Sequence, residues 1–302
     1  MKIVLVHNTV KEYKEFEEIL QTVLSEFKVV TSDENYNYNE VEFVVIWYEI
    51  PKDLHRFSNL KLILNCGSGF DQYLRKLDFF DQNIPIVRLV DPYLKERVSN
   101  YISTYIAKIS SEKLFSNNHV SIDQKKIKIV IMGIGILGNH TALKLLEKGY
   151  EVIGWSKSEK YQSLYRTIIG KKNLYSEIRD CNFLVCQLPL TSETENVINA
   201  ELLENLNREA VLINVGRGEH IVENDLVEAL EKNKIAGAVL DVNRIEPLPE
   251  SHIYNHIKNI IITPHIAGYV GANTQASYAG SVIKNYLSGN DIEGVFDFKK
   301  QY

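Results

Sequence analysis

"IVIMGIGILGNHTALKLLEKGYEVIGW", residues 129–155, is the stretch on which the fold turns. Four apolar residues run into Gly133, Gly135 and Gly138 at the spacing GxGxxG, then into an amphipathic helical pattern closed by Gly149, then into a second apolar run. In that context each glycine has a physical task. The first permits a tight turn, the second lets the backbone approach a pyrophosphate, and the third lets the helix pack closely on the strand. The diphosphate would lie on the free N–H groups that open the helix. A glycine-rich turn without a ligand is the plain alternative, and the strand–loop–helix order weighs against it.

The same alternation continues on both sides. Downstream come "NFLVCQL" (182–188), "AVLINV" (210–215), "KIAGAVLDV" (234–242) and "NIIITP" (259–264), with helical patterns between most of them. Upstream lie "KIVLV" (2–6), the amphipathic "YKEFEEILQTVLSEF" (13–27), "VEFVVIWY" (41–48), "LKLILNC" (60–66) and "IPIVRLV" (84–90). Unbroken Val/Ile/Leu runs separated by helices predict parallel strands buried on both faces and joined by right-handed crossovers. Residues 92–113 predict a long connecting helix that starts on Pro92, and residues 272–289 a last helix. The tail "DIEGVFDF" (291–298) is expected to return to the first half.

The 302 residues suffice for two domains, and 45% hydrophobic with 24% charged residues is the balance of a soluble globular chain. A net charge of −5 without a basic block argues against nucleic-acid and membrane-surface binding. Cys66, Cys181 and Cys186 are odd in number and lack the spacing of metal ligands, so neither a disulfide framework nor a metal site is expected. The apolar stretch in "MKIVLVHNTV" is too short for a signal peptide or a membrane span, and the expected location is the cytoplasm.

A dinucleotide site that selects NAD usually ends its second strand on Asp or Glu, which accepts from the ribose hydroxyls. Here Ser156 and Lys157 follow Trp155, with Lys160 close by and Glu159 of opposite sign between them. A 2′-phosphate would be attracted there, so NADP is the expected cofactor, with NAD possible. A solvated, lysine-rich loop is the alternative.

Three polar residues stand at the ends of later strands. Arg217 sits in a Gly-Arg-Gly turn after "AVLIN", Glu246 in a Pro-rich loop after "AVLDV", and His265 after "IIITP". The carboxyl ends of strands line the ligand crevice in open α/β sheets. An arginine there can clamp a carboxylate, a histidine can donate a proton, and a glutamate beside the histidine favours its charged form. Each has a duller reading: Arg217 could hold its turn, Glu246 could be solvated, and His265 could be a satisfied strand-end histidine.

The order GxGxxG, "QLPLTSETENVIN", "INVGRG", "LDVNRIEPLP" and "ITPHIAG" resembles the D-isomer-specific 2-hydroxyacid dehydrogenase family over nearly the whole chain. The segments around Trp47, "NCGSGFDQ" (65–72), "IPIVRLVDP" (84–92) and "GWSKS" (154–158) are similar to its glyoxylate/hydroxypyruvate reductase branch. The resemblance implies an α/β fold of two doubly wound parallel-sheet domains. These are a Rossmann cofactor domain over residues 95–271 and a discontinuous flavodoxin-like substrate domain over residues 1–94 and 272–302. It implies NAD(P)H-dependent reduction of a small 2-oxo acid, with Arg217, Glu246 and His265 as the catalytic set. Cofactor contacts are implied at Gly133, Gly135, Ile136, Leu137, Gly138, Trp155, Ser156, Lys157, Leu188, Pro189, Val215, Gly216, Asp241 and Gly268. Substrate contacts are implied at Trp47, Gly67, Ser68, Gly69 and Arg88, besides Arg217 and His265. For Trp47 a core position and for Arg88 a surface pair with Asp91 remain the alternatives. A homodimer is also implied.

Two residues depart from the family pattern. His140 is read as a surface helix position, and Asn243 stands where an aromatic is common. The tail after the final helix is short, so the regulatory extension of many phosphoglycerate dehydrogenases is not expected. Rival readings are an NAD-dependent D-lactate or phosphoglycerate-type dehydrogenase, and a dinucleotide sensor like the family's corepressors.

Overall fold

The computed structural model describes residues 2–7, 14–46, 50–67, 69–70, 83–112, 115, 127–159 and 164–298. Trp47, Ser68 and Lys160 lie outside these residues. The chain forms two compact units, Met1–Asp91 with Val270–Tyr302, and Pro92–Tyr269. The long helix that opens at Pro92 thus belongs wholly to the second unit.

In the first unit β1 (Ile3–His7), β2 (Lys28–Thr31), β3 (Val41–Ile46), β4 (Leu62–Asn65) and β5 (Ile86–Arg88) form one parallel sheet. Its order is β2-β1-β3-β4-β5, the flavodoxin-like arrangement. Helix α1 (Lys14–Val23) buries Phe16 and Leu20, one turn apart, against the face that carries Val4, Val6, Phe43, Val45, Leu62 and Leu64. The alternate residues Ile3, Leu5, Val44 and Ile63 face the other way and pack on Phe57, Phe70 and Phe296. Both faces are covered, which is why these strands read as unbroken apolar runs. The tail does return to this unit, with Phe296 N–H donating to Ile86 O at 2.8 Å and Val295 bridging Val87.

The second unit opens with α2 (Pro92–Glu112). Then follow β6 (Lys128–Met132), α3 (Ile136–Glu147), β7 (Glu151–Ser156), β8 (Arg166–Ile169), α4 (Lys171–Ile178) and β9 (Phe183–Cys186). It continues through α5 (Ala200–Asn205), β10 (Val211–Asn214), α6 (Glu223–Glu231), β11 (Gly237–Leu240) and β12 (Ile260–Ile262). The sheet order β12-β11-β10-β9-β6-β7-β8 reverses direction between β9 and β6, as in a Rossmann sheet. Helix α7 (Ala272–Leu287) lies in the first unit, where Gly280 lets it approach α1. A Cβ on Gly280 would stand 2.3 Å from Val23.

Two strands, β2 and β8, have no counterpart among the apolar runs of the sequence. Each is an edge with only two adjacent apolar residues, and β8 has one buried residue, so neither produces a detectable apolar run. His140 also differs from expectation. On α3 it is half-buried, its Nε2 2.9 Å from Glu96 Oε1 of α2, and Lys144 one turn on bonds the same carboxylate. The Lys144 hydrogen bond, seconded by His140, holds Glu96 below its usual range.

Candidate active site

The glycine loop follows β6. Gly133 has φ +97°, and a Cβ there would come within 2.7 Å of Gln187 O, so the turn excludes any side chain. A Cβ on Gly138 would fall 1.9 Å from Gly133 O, which sets how tightly α3 sits on the strand end. Gly135 is the contrast, since its Cβ would meet nothing within 4 Å. That open side, at a helix start with no side-chain cap and no acid in the first turn, fits a diphosphate. Ile136 and Leu137 open this helix, Ile136 exposed.

At the end of β7, Trp155 Nε1–H donates to Gly170 O at 3.1 Å, and the buried Ser156 hydroxyl donates to Ser158 O. Lys157 is largely exposed and pairs with Glu193 at 2.6 Å. Its ammonium thus stands in solvent beside Glu193, where a phosphate could exchange for that carboxylate. Leu188 and Pro189 follow β9, and Val215 and Gly216 follow β10, with Val215 N–H donating to Cys186 O. Gly268 packs on α2, where a Cβ would meet Leu94 at 2.8 Å.

Arg217 leaves β10 on a turn wedged from two sides. A Cβ on Gly216 would strike His220 at 2.8 Å, and one on Gly218 would lie 2.0 Å from the Asn243 carbonyl carbon. Only glycines fit on either side of the arginine. The fully buried His220 accepts Arg217 N–H on Nδ1 at 3.0 Å, so its Nε2 carries the hydrogen and faces Pro189 O at 3.3 Å. Asn214 completes the brace, donating to Arg217 O and accepting from Gly216 N–H.

Glu246 and His265 meet directly. Glu246 Oε2 is 2.8 Å from His265 Nδ1, and Oε1 accepts Asn243 N–H at 2.9 Å. Burial pushes the Glu246 carboxyl up, but the bonds from His265 and Asn243 and the nearby Arg217 charge outweigh it and hold the group below its ordinary 4.5. An ionised carboxylate only accepts, so Nδ1 carries the hydrogen and Nε2 is the atom left for chemistry. The structure therefore brings Arg217, Glu246 and His265 into one electrostatic group.

His265 has φ +54°, a left-handed conformation that costs most residues energy. Asp241, 1% exposed, holds it there. Its Oδ1 accepts from Ile266 N–H at 2.9 Å and the Thr263 hydroxyl at 2.5 Å, its Oδ2 from Ala267 N–H at 2.8 Å, and its carbonyl from His265 N–H at 2.9 Å. Both carboxylate oxygens are thus engaged by the loop that carries the histidine. Tyr101 of α2 extends the chain of bonds, its hydroxyl 2.6 Å from Thr263. The family resemblance directs Asp241 toward the cofactor, and the sequence singles out neither His220 nor Thr263. The available signal is a lone carboxylate at the end of the wholly apolar run "AVL".

In the first unit Arg88 ends β5, and burial pulls its guanidinium down from the usual value. The fully buried Asn65, at the end of β4, donates to Gly67 O at 3.1 Å and Gly69 O at 2.7 Å and so shapes that loop.

The sequence profile described as D-isomer specific 2-hydroxyacid dehydrogenase, NAD binding domain, matches residues 98–267. The chain belongs to this family. It is 29% identical over 280 residues to glyoxylate/hydroxypyruvate reductase A of Escherichia fergusonii, covering 88% of this chain and 89% of that protein. A D-isomer specific 2-hydroxyacid dehydrogenase from Xanthobacter autotrophicus Py2, solved with NADPH and MES, superposes with a TM-score of 0.89 at 27% identity, covering 100% of this chain and 99% of that one. The NADPH-dependent glyoxylate/hydroxypyruvate reductase of Sinorhizobium meliloti, solved with NADP and sulfate, gives a TM-score of 0.85 at 27% identity with 100% of both chains covered. This member of the 2-hydroxyacid dehydrogenase family therefore has an NAD-binding unit of Rossmann type and a flavodoxin-like one.

Proposed function

We propose that this chain reduces a small 2-oxo acid of the glyoxylate or hydroxypyruvate type to the D-2-hydroxy acid, with NADPH preferred over NADH. The observation that carries the chemistry is the group formed by Arg217, Glu246 and His265. A bound nicotinamide dinucleotide supplies hydride to the carbonyl carbon. His265 gives the proton at Nε2 to the carbonyl oxygen, and Glu246 fixes the tautomer and stabilises the imidazolium. Arg217 clamps the substrate carboxylate and polarises the carbonyl beside it. Ser156 and Lys157 at the end of β7, in place of an acid, support the NADP preference, as do the NADP-bound relatives. Residues Gly133 to Gly138 hold the diphosphate. The reading includes a cytoplasmic homodimer, and among the described residues no helix is long and apolar enough to cross a membrane.

Oxidation of NADPH and NADH, each with glyoxylate, hydroxypyruvate and pyruvate, tests the reading directly. Turnover with NADPH on the first two acids is the expected result. Cofactor binding without turnover on any oxo acid would overturn it in favour of a sensor.

Two variants sharpen the assignment. Lys157→Ala is expected to raise KM for NADPH about tenfold, the equivalent of one charge-assisted contact, and to change that for NADH far less. Equal effects on both cofactors would remove Lys157 from the 2′-phosphate. Because Glu246 is held below 4.5, its pairing with His265 is complete above that value and is lost as pH falls through the lowered one. Glu246→Gln removes the group that titrates, so the acid limb that its protonation places on reductive kcat/KM below 4.5 should vanish. A limb that persists would mean that Glu246 serves only as a loop tie.

A further inference from the structure

The second sheet reverses direction between β6 and β9, and the crevice outside the carboxyl ends of those two strands is where dinucleotides lie in such sheets. Gln187 is the first residue beyond β9, its N–H donating to Met132 O at 2.8 Å at the mouth of that crevice. Its backbone forms the wall on which Gly133 turns, and its side-chain Oε1 is 3.7 Å from where a Cβ on Gly138 would stand. The amide is therefore lodged against the glycine loop. Both of its polar atoms, Nε2 and Oε1, are buried, and neither has a hydrogen-bond partner among the described residues.

A buried primary amide with neither its donor nor its acceptor satisfied is costly, and leucine or methionine would fill the same space without that penalty. The position gains from an amide where a partner reaches it from beyond the described residues, and a dinucleotide in the crevice is such a partner. The bound diphosphate offers acceptors to Nε2, and the ribose hydroxyls offer donors to Oε1.

We propose that Gln187 is a cofactor-binding residue whose amide recognises the diphosphate–ribose segment of the dinucleotide against the glycine loop. The proposal rests on the reading of that loop as a dinucleotide site.

The test is the dissociation constant of NADPH and of ADP-ribose, measured by fluorescence and calorimetric titration, for the wild type and Gln187→Met, with the melting temperature of each apoprotein. Gln187→Met is expected to weaken both ligands about tenfold, as for the loss of one or two well-formed hydrogen bonds. The apoprotein should melt at the same temperature or about 2 °C higher, because an unsatisfied amide has gone. Unchanged binding with a lower melting temperature would overturn the proposal, since the amide would then be a structural group satisfied inside the protein. Weakening of NADPH alone would also overturn it, by moving the contact to a group that ADP-ribose lacks, the nicotinamide or the 2′-phosphate. Should the methionine variant fail to fold, Gln187→Asn draws the amide back by one methylene, and unchanged affinity there would overturn the proposal equally. Wild-type protein that binds neither NADPH nor NADH would sink the dinucleotide reading itself, and the Gln187 assignment with it.

Discussion

His265→Asn is expected to lower kcat/KM for 2-oxo acid reduction by about 10²–10⁴ while leaving the dissociation constant of NADPH within about twofold. The choice of asparagine follows from the backbone. At φ +54° an alanine would add strain to the loss of the imidazole, whereas asparagine is among the residues that accept the left-handed region. The backbone bonds from His265 N–H to Asp241 O and Thr263 O survive the change. What disappears is the proton at Nε2 and the partner of Glu246 Oε2. A loss confined to turnover therefore reports the acid. If steady-state kinetics and fluorescence titration showed equal losses in turnover and NADPH binding, His265 would be a loop-forming residue and the proton donor would have to be sought elsewhere.

The architecture is legible in the sequence because its signals are local. The glycine loop is six residues long, and the other strands sit in unbroken apolar runs such as 183–186 and 210–213. Edges β2 and β8 escape because each offers only two adjacent apolar residues, Val29–Val30 and Ile168–Ile169, and β8 buries just one residue. The proposed catalytic set stands out for a related reason, since each member is a polar residue soon after an apolar strand. The residues that hold the set in place are not. His220 reads as one histidine in a loop, yet it is fully buried and fixes the Arg217 turn through Nδ1. Asp241 binds residues more than twenty positions later, and no spacing rule in the sequence links an acid on one strand to the loop after the next. Lys157 shows the same limit, because its pairing with Glu193 depends on two loops being neighbours in space. Strand ends announce candidate chemistry. Long-range hydrogen bonds decide its geometry.

That division gives the second large effect. Asp241→Ala should destabilise the protein by about 3 kcal/mol, since it leaves three donors, Thr263 Oγ1, Ile266 N–H and Ala267 N–H, without their acceptor, and each buried one costs about 1–3 kcal/mol. The same change releases the loop from Thr263 to Ala267, so turnover should fall as well, through misplacement of His265 and not through its chemistry. Asp241→Asn separates the two contributions. Its carbonyl can still accept at one oxygen position, but at the other an N–H₂ group confronts a donor, so about half the network remains. Stability and turnover are then expected to fall in the order wild type, asparagine, alanine, measured by urea unfolding and by steady-state kinetics at saturating NADPH. If asparagine kept wild-type turnover while losing stability, the backbone bonds from His265 N–H would suffice to aim the imidazole. The carboxylate would then serve the fold and not the reaction. If turnover followed stability through both variants, the same buried acid would secure the left-handed turn and the geometry of proton transfer together.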